Sequence, residues 1–378
     1  MQTRALDITA RCAFVLFLVF AHLPVSLAES GHLVAATAIS GAPAGAMAWR
    51  IRYDTTDHEG RPVQSTGVLV APSGLAPSGG RKVVAWAHGT TGIAEPCAPS
   101  LGPRALASIP ALEQMVRQGW TVVATDYPGL GTPGPHAYLV GEAAAHAVLD
   151  SVRAARQVEH ANASTQFIVW GLSQGAHAAL FTGQEAHGYA PDLQLLGVAA
   201  AAPPTDLIMN LGDSSSPMVR TILTAFAVDS WSKVYHADTG TIAKPTARRL
   251  LHRLASTCGS EDPALRTKIQ VARLRRQITD VHLTAIEPWR SLLVTNSAGG
   301  GPAGAPLFVA QGTDDAVVSA DVTKRFVVNA CGRGEQIRFV SILNGIHRTT
   351  ATASAEETLR WMAGRFAGQP SPNDCPIR

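Results

Sequence analysis

The chain has 378 residues, of which 46% are hydrophobic and 16% are charged, and its formal net charge is +3. This balance is typical of a folded globular protein and excludes an intrinsically disordered chain, and the net charge is too small to indicate nucleic acid as a partner. The length exceeds a typical domain of roughly 100 to 200 residues, but α/β folds of this size often form one unit. We therefore expect one large domain with an insertion.

The N-terminal segment has the pattern of a secretory signal peptide. Arg4 and Arg11 precede or border an apolar run, Cys12–Phe20, and small residues at 26–28 offer a cleavage site. The run is shorter than the roughly 20 apolar residues that a membrane span needs. We predict a signal peptide over residues 1–28 and a secreted mature chain, extracellular or, in a bacterium with two membranes, periplasmic. An uncleaved N-terminal anchor is the alternative.

The segments that follow predict a mostly parallel sheet with an antiparallel N-terminal edge. Two β-branched and apolar stretches, Met47–Tyr53 and Val63–Val70, flank a turn-like segment and predict an antiparallel hairpin. Short apolar runs come next, of the kind that suits strands buried on both faces of a parallel sheet. These runs are Lys82–Trp86, Thr121–Ala124, Phe167–Trp170, Leu195–Ala199, Pro306–Ala310 and Ile337–Ile342.

Helical patterns lie between these runs, and the alternation indicates an α/β fold. The clearest patterns are Glu142–Gln157, Gly175–Ala186 and Glu356–Phe366. The alternation stops after about residue 203, where only helix-like segments such as Val219–Tyr235 and Ala247–Ala255 occur before the next strand. We therefore predict a catalytic body over 29–203 and 305–378, with an inserted helical cap over 204–304.

A nucleophile elbow is predicted at Gly171-Leu172-Ser173-Gln174-Gly175, which has the G-x-S-x-G pattern of the α/β-hydrolase fold. Glycines on either side of the serine permit a strained turn that lifts its hydroxyl above the sheet. Chance alone would give the bare pattern in about one of five such chains. The apolar run before it and the alanine-rich helix after it supply the context that the elbow requires. Ser173 is therefore the predicted nucleophile, and a structural serine in a tight turn is the alternative.

The base and the acid should follow the serine, because the catalytic triad of this fold has the chain order serine, acid, histidine. His347 lies in a loop directly after the last predicted strand, where an imidazole can reach back over the sheet. For the acid we choose Asp315, because strand-Gly-x-x-Asp-x-x-Val is the usual acid turn of the fold. Its neighbour Asp314 stays open as the alternative, and Asp321 is a weaker candidate at the start of a helix.

An ester hydrolase also needs donors for the oxyanion of its tetrahedral intermediate, usually two backbone N–H groups. One donor should be Gln174, the residue after the nucleophile. The other should come from the loop His88–Gly92, after the strand Lys82–Trp86, and we assign it to Thr90 with Thr91 as the alternative. His88 precedes the serine, so we expect it to shape the loop.

Four cysteines remain after the predicted cleavage, namely Cys97, Cys258, Cys331 and Cys375. In an exported protein four cysteines indicate two disulfides, and the sequence alone allows three pairings. The chain has no C-x-x-C or H-x-x-x-H spacing, so we predict no metal site.

Several of these segments together resemble the secretory lipase family of α/β-hydrolases. They are His88–Gly92 with the following Cys97, Asp126–Gly131, the elbow, Gln311–Val318, and Gly345–His347 with Trp361 downstream. The resemblance covers nearly all of the mature chain. It implies an exported triacylglycerol lipase or carboxylesterase that needs no cofactor, with a helical cap over an acyl-binding pocket. It also implies the disulfide Cys97–Cys258, which ties the cap to the loop beside the oxyanion hole, and Cys331–Cys375, which fastens the C-terminal tail to the body.

Our leading hypothesis is hydrolysis of carboxylic, acylglycerol-type esters through an acyl-serine intermediate. A carboxylesterase for short-chain or aromatic esters is the second hypothesis, because nothing in the sequence measures the length of the pocket. An acyltransferase with the same triad is a third. A binding protein with a hydrolase fold is disfavoured, because such proteins usually lose a triad member. The expected partner is a small-molecule or lipid ester.

The predicted cap is rich in cations. They include Arg248, Arg249, Arg253, Arg266, Lys268, Arg273, Arg275 and Arg276, interleaved with leucine and isoleucine. Solvated faces of amphipathic helices explain such a pattern. The sharper interpretation is a surface for transient contact with an anionic lipid interface.

Overall fold

A computed structural model describes residues 30–213, 216–259, 265–278 and 283–376. The predicted signal peptide over 1–28 lies outside the described residues. None of the helices in the described ranges is both long enough and apolar enough to cross a membrane.

The centre of the protein is a nine-stranded sheet. Its strands, β1 to β9 in chain order, are Leu33–Ala38, Ala46–Thr56, Pro62–Pro72, Arg81–Ala87, Thr121–Thr125, Ala163–Leu172, Gln194–Ala201, Leu307–Gly312 and Ile337–Ile342. Their order across the sheet is β1-β2-β3-β5-β4-β6-β7-β8-β9. β1 pairs with β2, β2 with β3 and β3 with β5, all three antiparallel, and the remaining neighbouring pairs are parallel. The predicted fold class, a mostly parallel sheet with an antiparallel N-terminal edge, is confirmed.

Helices pack on both faces of this sheet. Those of the body are α1 Leu112–Arg117, α2 Gly141–Ala155, α3 Gln174–Tyr189, α9 Ala320–Gly332, α10 Thr350–Ala353 and α11 Ala355–Phe366. Between β7 and β8 the described residues hold α4 Leu207–Asp213, α5 Pro217–Val234, α6 Pro245–Ala255, α7 Leu265–Ile278 and α8 Trp289–Thr295. The strand and helix patterns of the sequence therefore match elements of the structure.

The central strands are mostly apolar because both of their faces are buried. On β4, Val83 and Ala85 join one core cluster, which includes residues of α2 and α3. Val84 and Trp86 point to the other face, where the cluster includes residues of α1 and α11. Alternate side chains of a strand point to opposite faces, so a strand covered on both sides needs apolar residues at every position.

The edge strand β1 is one element that we did not predict. Its last four residues, 35–38, are exposed, and it pairs with β2 alone. A strand held at the rim mainly by backbone hydrogen bonds needs no alternation of apolar and polar side chains. Its sequence therefore carried no strand signal.

The helices between β7 and β8 pack in a second hydrophobic cluster, which also includes Tyr138 and Val140 from the loop before α2. Its largest fully buried side chains are Trp231, Trp289, Tyr138 and Phe226. The disulfide between Cys97 and Cys258 joins the loop after β4 to the chain that follows α6. A second disulfide, between Cys331 in α9 and Cys375, fastens the C-terminal segment. This is the pairing that the family resemblance implies.

Candidate active site

The serine of the G-x-S-x-G motif occupies a strained turn between β6 and α3. Ser173 has φ 57° and ψ −118°, in the positive-φ region that side chains rarely adopt. Steric clashes exclude any residue other than glycine at the flanking positions 171 and 175. A Cβ on Gly175 would lie 1.8 Å from the carbonyl oxygen of Ala87, and one on Gly171 would lie 2.0 Å from the carbonyl oxygen of Gly175. The turn can therefore pack against β4 only with glycine at both positions.

Three side chains predicted as a triad lie in one hydrogen-bonded chain. His347 Nε2 lies 2.8 Å from Ser173 Oγ, and His347 Nδ1 lies 2.8 Å from Asp315 Oδ2. Because an ionised carboxylate only accepts hydrogen bonds, Nδ1 carries the proton and Nε2 is free to accept the serine hydroxyl. The Asp315 side chain is fully buried and the imidazole is 18% exposed. This is the arrangement of an activated serine nucleophile.

The structure separates Asp315 from the two other carboxylates considered for the acid. Asp314 is exposed, and its side chain accepts a hydrogen bond from Thr313. Asp321 is exposed in the first turn of α9, where Ser319 caps the helix. Of the three, Asp315 is the carboxylate hydrogen-bonded to His347.

The loop after β4 lies beside the nucleophile. A Cβ on Gly89 would lie 3.7 Å from the Cβ of Ser173. Thr90 Oγ1 is 2.9 Å from the hydroxyl of Tyr138, and the carbonyl of Thr91 accepts a hydrogen bond of 2.7 Å from the N–H of Gly259, which follows α6. This stretch of backbone is therefore held on two sides, next to the serine.

Gln174 is the first residue of α3, so its backbone N–H has no acceptor within the helix. Its buried side chain donates to His136 Nε2 at 2.9 Å. His136 in turn donates from Nδ1 to the carbonyl of Pro128, which fixes its tautomer. Burial lowers the pKa of His136 to about 4, so the ring is neutral and accepts at neutral pH. We did not predict this contact from the sequence, where the only local signal is the nearby Asp126–Gly131 block.

His88 is buried, and its Nδ1 donates to the carbonyl of Gly89 at 2.6 Å. Burial lowers the pKa of this imidazole, which is therefore neutral at neutral pH. The hydroxyl of Tyr127 donates to the carbonyl of His88 at 3.3 Å. These contacts fit the loop-shaping role expected for His88.

A narrow cavity opens at Ser173, between the carboxyl ends of the strands and the helices between β7 and β8. Its walls are mostly apolar; they include Leu207, Leu211, Leu223, Trp231, Leu293 and Val318. The volume of the cavity is about 50 Å³. An apolar cavity with a few polar groups at the nucleophile is suited to an apolar part of a substrate. Across the described ranges, no three His, Cys, Asp or Glu side chains are placed to hold a metal ion.

Comparison with known proteins gives curated relatives that are lipases by name. A probable inactive lipase of Mycobacterium tuberculosis is 24% identical over 358 residues, which cover 87% of this chain and 75% of the relative. Lipase 6 of Candida albicans is 24% identical over 356 residues, which cover 86% of this chain and 74% of the relative.

Solved structures share the fold. Candida antarctica lipase A in its closed state has a TM-score of 0.75 at 18% identity, covering 94% of this chain and 87% of that chain. The rice cell wall degrading esterase LipA from Xanthomonas oryzae has a TM-score of 0.71 at 20% identity, covering 87% of this chain and 95% of that chain. The model of the family described as secretory lipase matches residues 107–374, which is more than half of the chain. The chain therefore belongs to the secretory lipase family.

Proposed function

We propose that this chain is a secreted lipase or carboxylesterase that hydrolyses acylglycerol-type esters through an acyl-serine intermediate on Ser173. The observation that carries the proposal is the hydrogen-bonded chain from Ser173 through His347 to Asp315, with 2.8 Å at each step. One curated relative is named a probable inactive lipase. In this chain all three groups are present and in contact, which supports activity.

In the proposed reaction, His347 Nε2 takes the proton of Ser173 as its oxygen attacks the ester carbonyl carbon. The carbonyl oxygen becomes an oxyanion, for which the N–H groups of Thr90 and Gln174 are the proposed donors. Collapse of this intermediate breaks the bond to the alcohol, which leaves with the proton from His347. A water molecule then gives a proton to His347 as its oxygen attacks the acyl-enzyme. Collapse of this second intermediate breaks the bond to Ser173, which takes the proton back from His347, and releases the acid. Asp315 stabilises the imidazolium in both halves.

We assign the cap to residues 204–304. This assignment is supported by the path of the chain, which leaves the sheet at Ala201 and returns at Leu307, and by the hydrophobic cluster in which the helices between these two points pack together. Cap residues also line the cavity at Ser173. A long acyl chain needs far more room than the cavity offers, so it would require the cap to move. The small cavity favours the second hypothesis, a carboxylesterase for short-chain or aromatic esters.

Hydrolysis of a chain-length series of p-nitrophenyl esters and of emulsified triacylglycerol, beside Ser173→Ala, tests the proposal. Cleavage of long chains and of the emulsion by the wild type alone supports a lipase. Activity confined to short or aromatic esters supports the carboxylesterase. Transfer of the acyl group to added glycerol or methanol in preference to water would identify an acyltransferase. Full activity in Ser173→Ala would refute the site.

Contact with an anionic lipid interface is supported by the charge of the cap. Residues 244–276 hold nine lysines and arginines and two carboxylates, a net charge of +7, while the whole chain has +3. Among the residues of α6 and α7 whose side chains are described, the exposed arginines are Arg248, Arg249, Arg253, Arg273, Arg275 and Arg276. Ile269, 45% exposed, lies on α7 among them, and cations around an apolar side chain suit a lipid surface.

Vesicle binding tests this surface. We expect the wild type to bind vesicles of phosphatidylglycerol more tightly than vesicles of phosphatidylcholine, and the difference to shrink with salt. The triple variant Arg248→Glu, Arg249→Glu and Arg253→Glu should lose the preference. The pair Arg117→Glu and Arg360→Glu changes exposed arginines of the body and serves as the control. Equal binding to both lipids would contradict the assignment.

Export is supported by the signal-peptide pattern at residues 1–28 and by the two disulfides, since disulfides persist in oxidising compartments. N-terminal sequencing of the protein recovered from culture medium or periplasm tests it. A first residue of Glu29 supports cleavage at the predicted site. Retention of an intact N-terminus in the membrane fraction would identify an anchor instead.

A further inference from the structure

The carboxylate of Asp315 receives four hydrogen bonds, and only one of them comes from the base. Its Oδ1 accepts from the backbone N–H groups of Val317 and Val318, both at 2.8 Å. Its Oδ2 accepts from His347 Nδ1 at 2.8 Å and from Gln311 Nε2 at 3.1 Å. A side-chain amide thus shares an oxygen with the imidazole.

The orientation of the Gln311 amide is determined by its neighbours. The residue is 1% exposed at the end of β8. Besides the carboxylate of Asp315, Nε2 faces the carbonyl oxygens of Gly312 and Val318, each at 3.1 Å. Oε1 accepts from the hydroxyl of Thr323 at 2.7 Å. Turning the amide over would set Oε1 against three groups that only accept, so Nε2 must point at the carboxylate.

We propose that Gln311 is a positioning residue for ester hydrolysis: its amide, oriented by Thr323 on α9, holds the carboxylate of Asp315 in the plane that His347 requires. The backbone bonds fix one carboxylate oxygen and leave the group free to tilt about it. The amide fixes the other oxygen independently of the imidazole, so the carboxylate keeps its place while His347 gains and loses a proton. Groups behind a catalytic side chain commonly set its orientation in this way.

The amide also affects the charge that the imidazole meets. An N–H donor at Oδ2 stabilises negative charge there, which weakens the pull of Asp315 on the proton of His347. Without the donor, imidazolium is more stable and the base is protonated up to a higher pH. A loss of Gln311 therefore has a signature in the pH profile that a loss of packing lacks.

The first test is Gln311→Met, which keeps the volume and removes the donor. We expect kcat for a p-nitrophenyl ester to fall by about tenfold or more, because misplaced catalytic groups cost rate steeply. KM should stay within about twofold, since the residue is behind the acid and away from the substrate, and the acid limb of kcat/KM should move up by roughly half a pH unit.

The second test is Gln311→Glu, which keeps the shape. A protonated Glu can donate its O–H to Asp315 and accept from Thr323, so kcat should stay near the wild-type value at low pH. Once ionised, it places a second carboxylate against Asp315. We therefore expect a new loss of activity on the alkaline side.

Thr323 provides a milder pair of variants if changes at Gln311 prevent folding. Thr323→Val removes the hydroxyl that orients the amide and should lower kcat. Thr323→Ser keeps the hydroxyl, so its kcat should stay near the wild-type value. Gln64→Met is the matched control, because the amide of Gln64 donates to Asp54 at 2.9 Å on the antiparallel edge of the sheet. Its kcat and pH profile should not change.

The inference rests on the proposed function, and these variants together distinguish a failure of the inference from a failure of the proposed function. If the wild type hydrolyses no ester, the proposed function fails. If the wild type is active and Ser173→Ala is not, then the variants of Gln311 and Thr323 alone test the positioning role. An unchanged pH profile in folded Gln311→Met, with no alkaline loss in Gln311→Glu, would overturn the positioning role. Equal rates for Thr323→Val and Thr323→Ser would do the same.

Discussion

Removal of either disulfide should lower the stability of the protein, but only one of the two removals should lower its activity. Cys331–Cys375 spans 44 residues and Cys97–Cys258 spans 161. Treating each bond as a constraint on the unfolded chain gives about 4 kcal/mol for the shorter span and about 5 kcal/mol for the longer. The free energy of unfolding should therefore fall by similar amounts in the two double serine variants.

Activity should distinguish them. Cys331 lies about 11 residues into α9, or roughly 17 Å from the end of the helix that adjoins the acid turn, at 1.5 Å per residue. Cys97 and Cys258 lie beside Thr91, whose carbonyl accepts the N–H of Gly259. The loop next to the nucleophile thus loses support only when the longer bond is removed. We expect kcat of that variant to fall several-fold, and kcat of the Cys331→Ser, Cys375→Ser variant to stay within about twofold.

Equilibrium unfolding in urea, followed by tryptophan fluorescence, gives the stability of each variant, and a p-nitrophenyl ester assay well below the transition gives kcat. The slope of free energy against urea should be checked first, because a change in slope would show that the unfolded state has changed as well. Equal losses of kcat in both variants, measured while both are folded, would refute the idea that the Cys97–Cys258 disulfide supports the loop next to Ser173.

Three further predictions use the same assays. Asp315→Asn should lower kcat by about 10⁴-fold, as expected for an acid that holds the histidine tautomer, whereas Asp314→Asn should stay within about twofold. Gly175→Ala places a Cβ 1.8 Å from a carbonyl oxygen of β4 and should destroy activity or folding, while Gly188→Ala, with open space around it in α3, should be neutral or stabilise by about 0.5 to 1 kcal/mol. Because the folded-state pKa of His136 is lowered to about 4, the unfolded chain binds its proton first as pH falls below about 6.5, and stability is lost between those values. His136→Asn should lose less stability than the wild type across that window in urea unfolding, and an identical pH dependence would contradict the assignment.

The sequence predicted the parts of the fold that depend on local pattern. Strands inside a parallel sheet consist largely of apolar residues, so short apolar runs located β4 to β9 without knowledge of their neighbours. The elbow needs glycine at two positions around Ser173 for reasons of space, and that requirement appears as a motif. The chain order of the fold then directed attention to His347, and the spacing of the acid turn favoured Asp315 over its neighbour.

The contacts that support the site could not be predicted in this way. His136 meets Gln174 across 38 residues because the loop before α2 packs against both α3 and α5, and nothing in its local sequence requires a buried histidine. Gln311 was visible in the acid turn, but its role depends on Thr323, which a helix brings back to the strand end. Neither residue type is unusual, and each becomes informative only when its acceptor or donor is identified. Motifs thus point to the groups that react, whereas the groups that hold them are encoded in packing between distant segments.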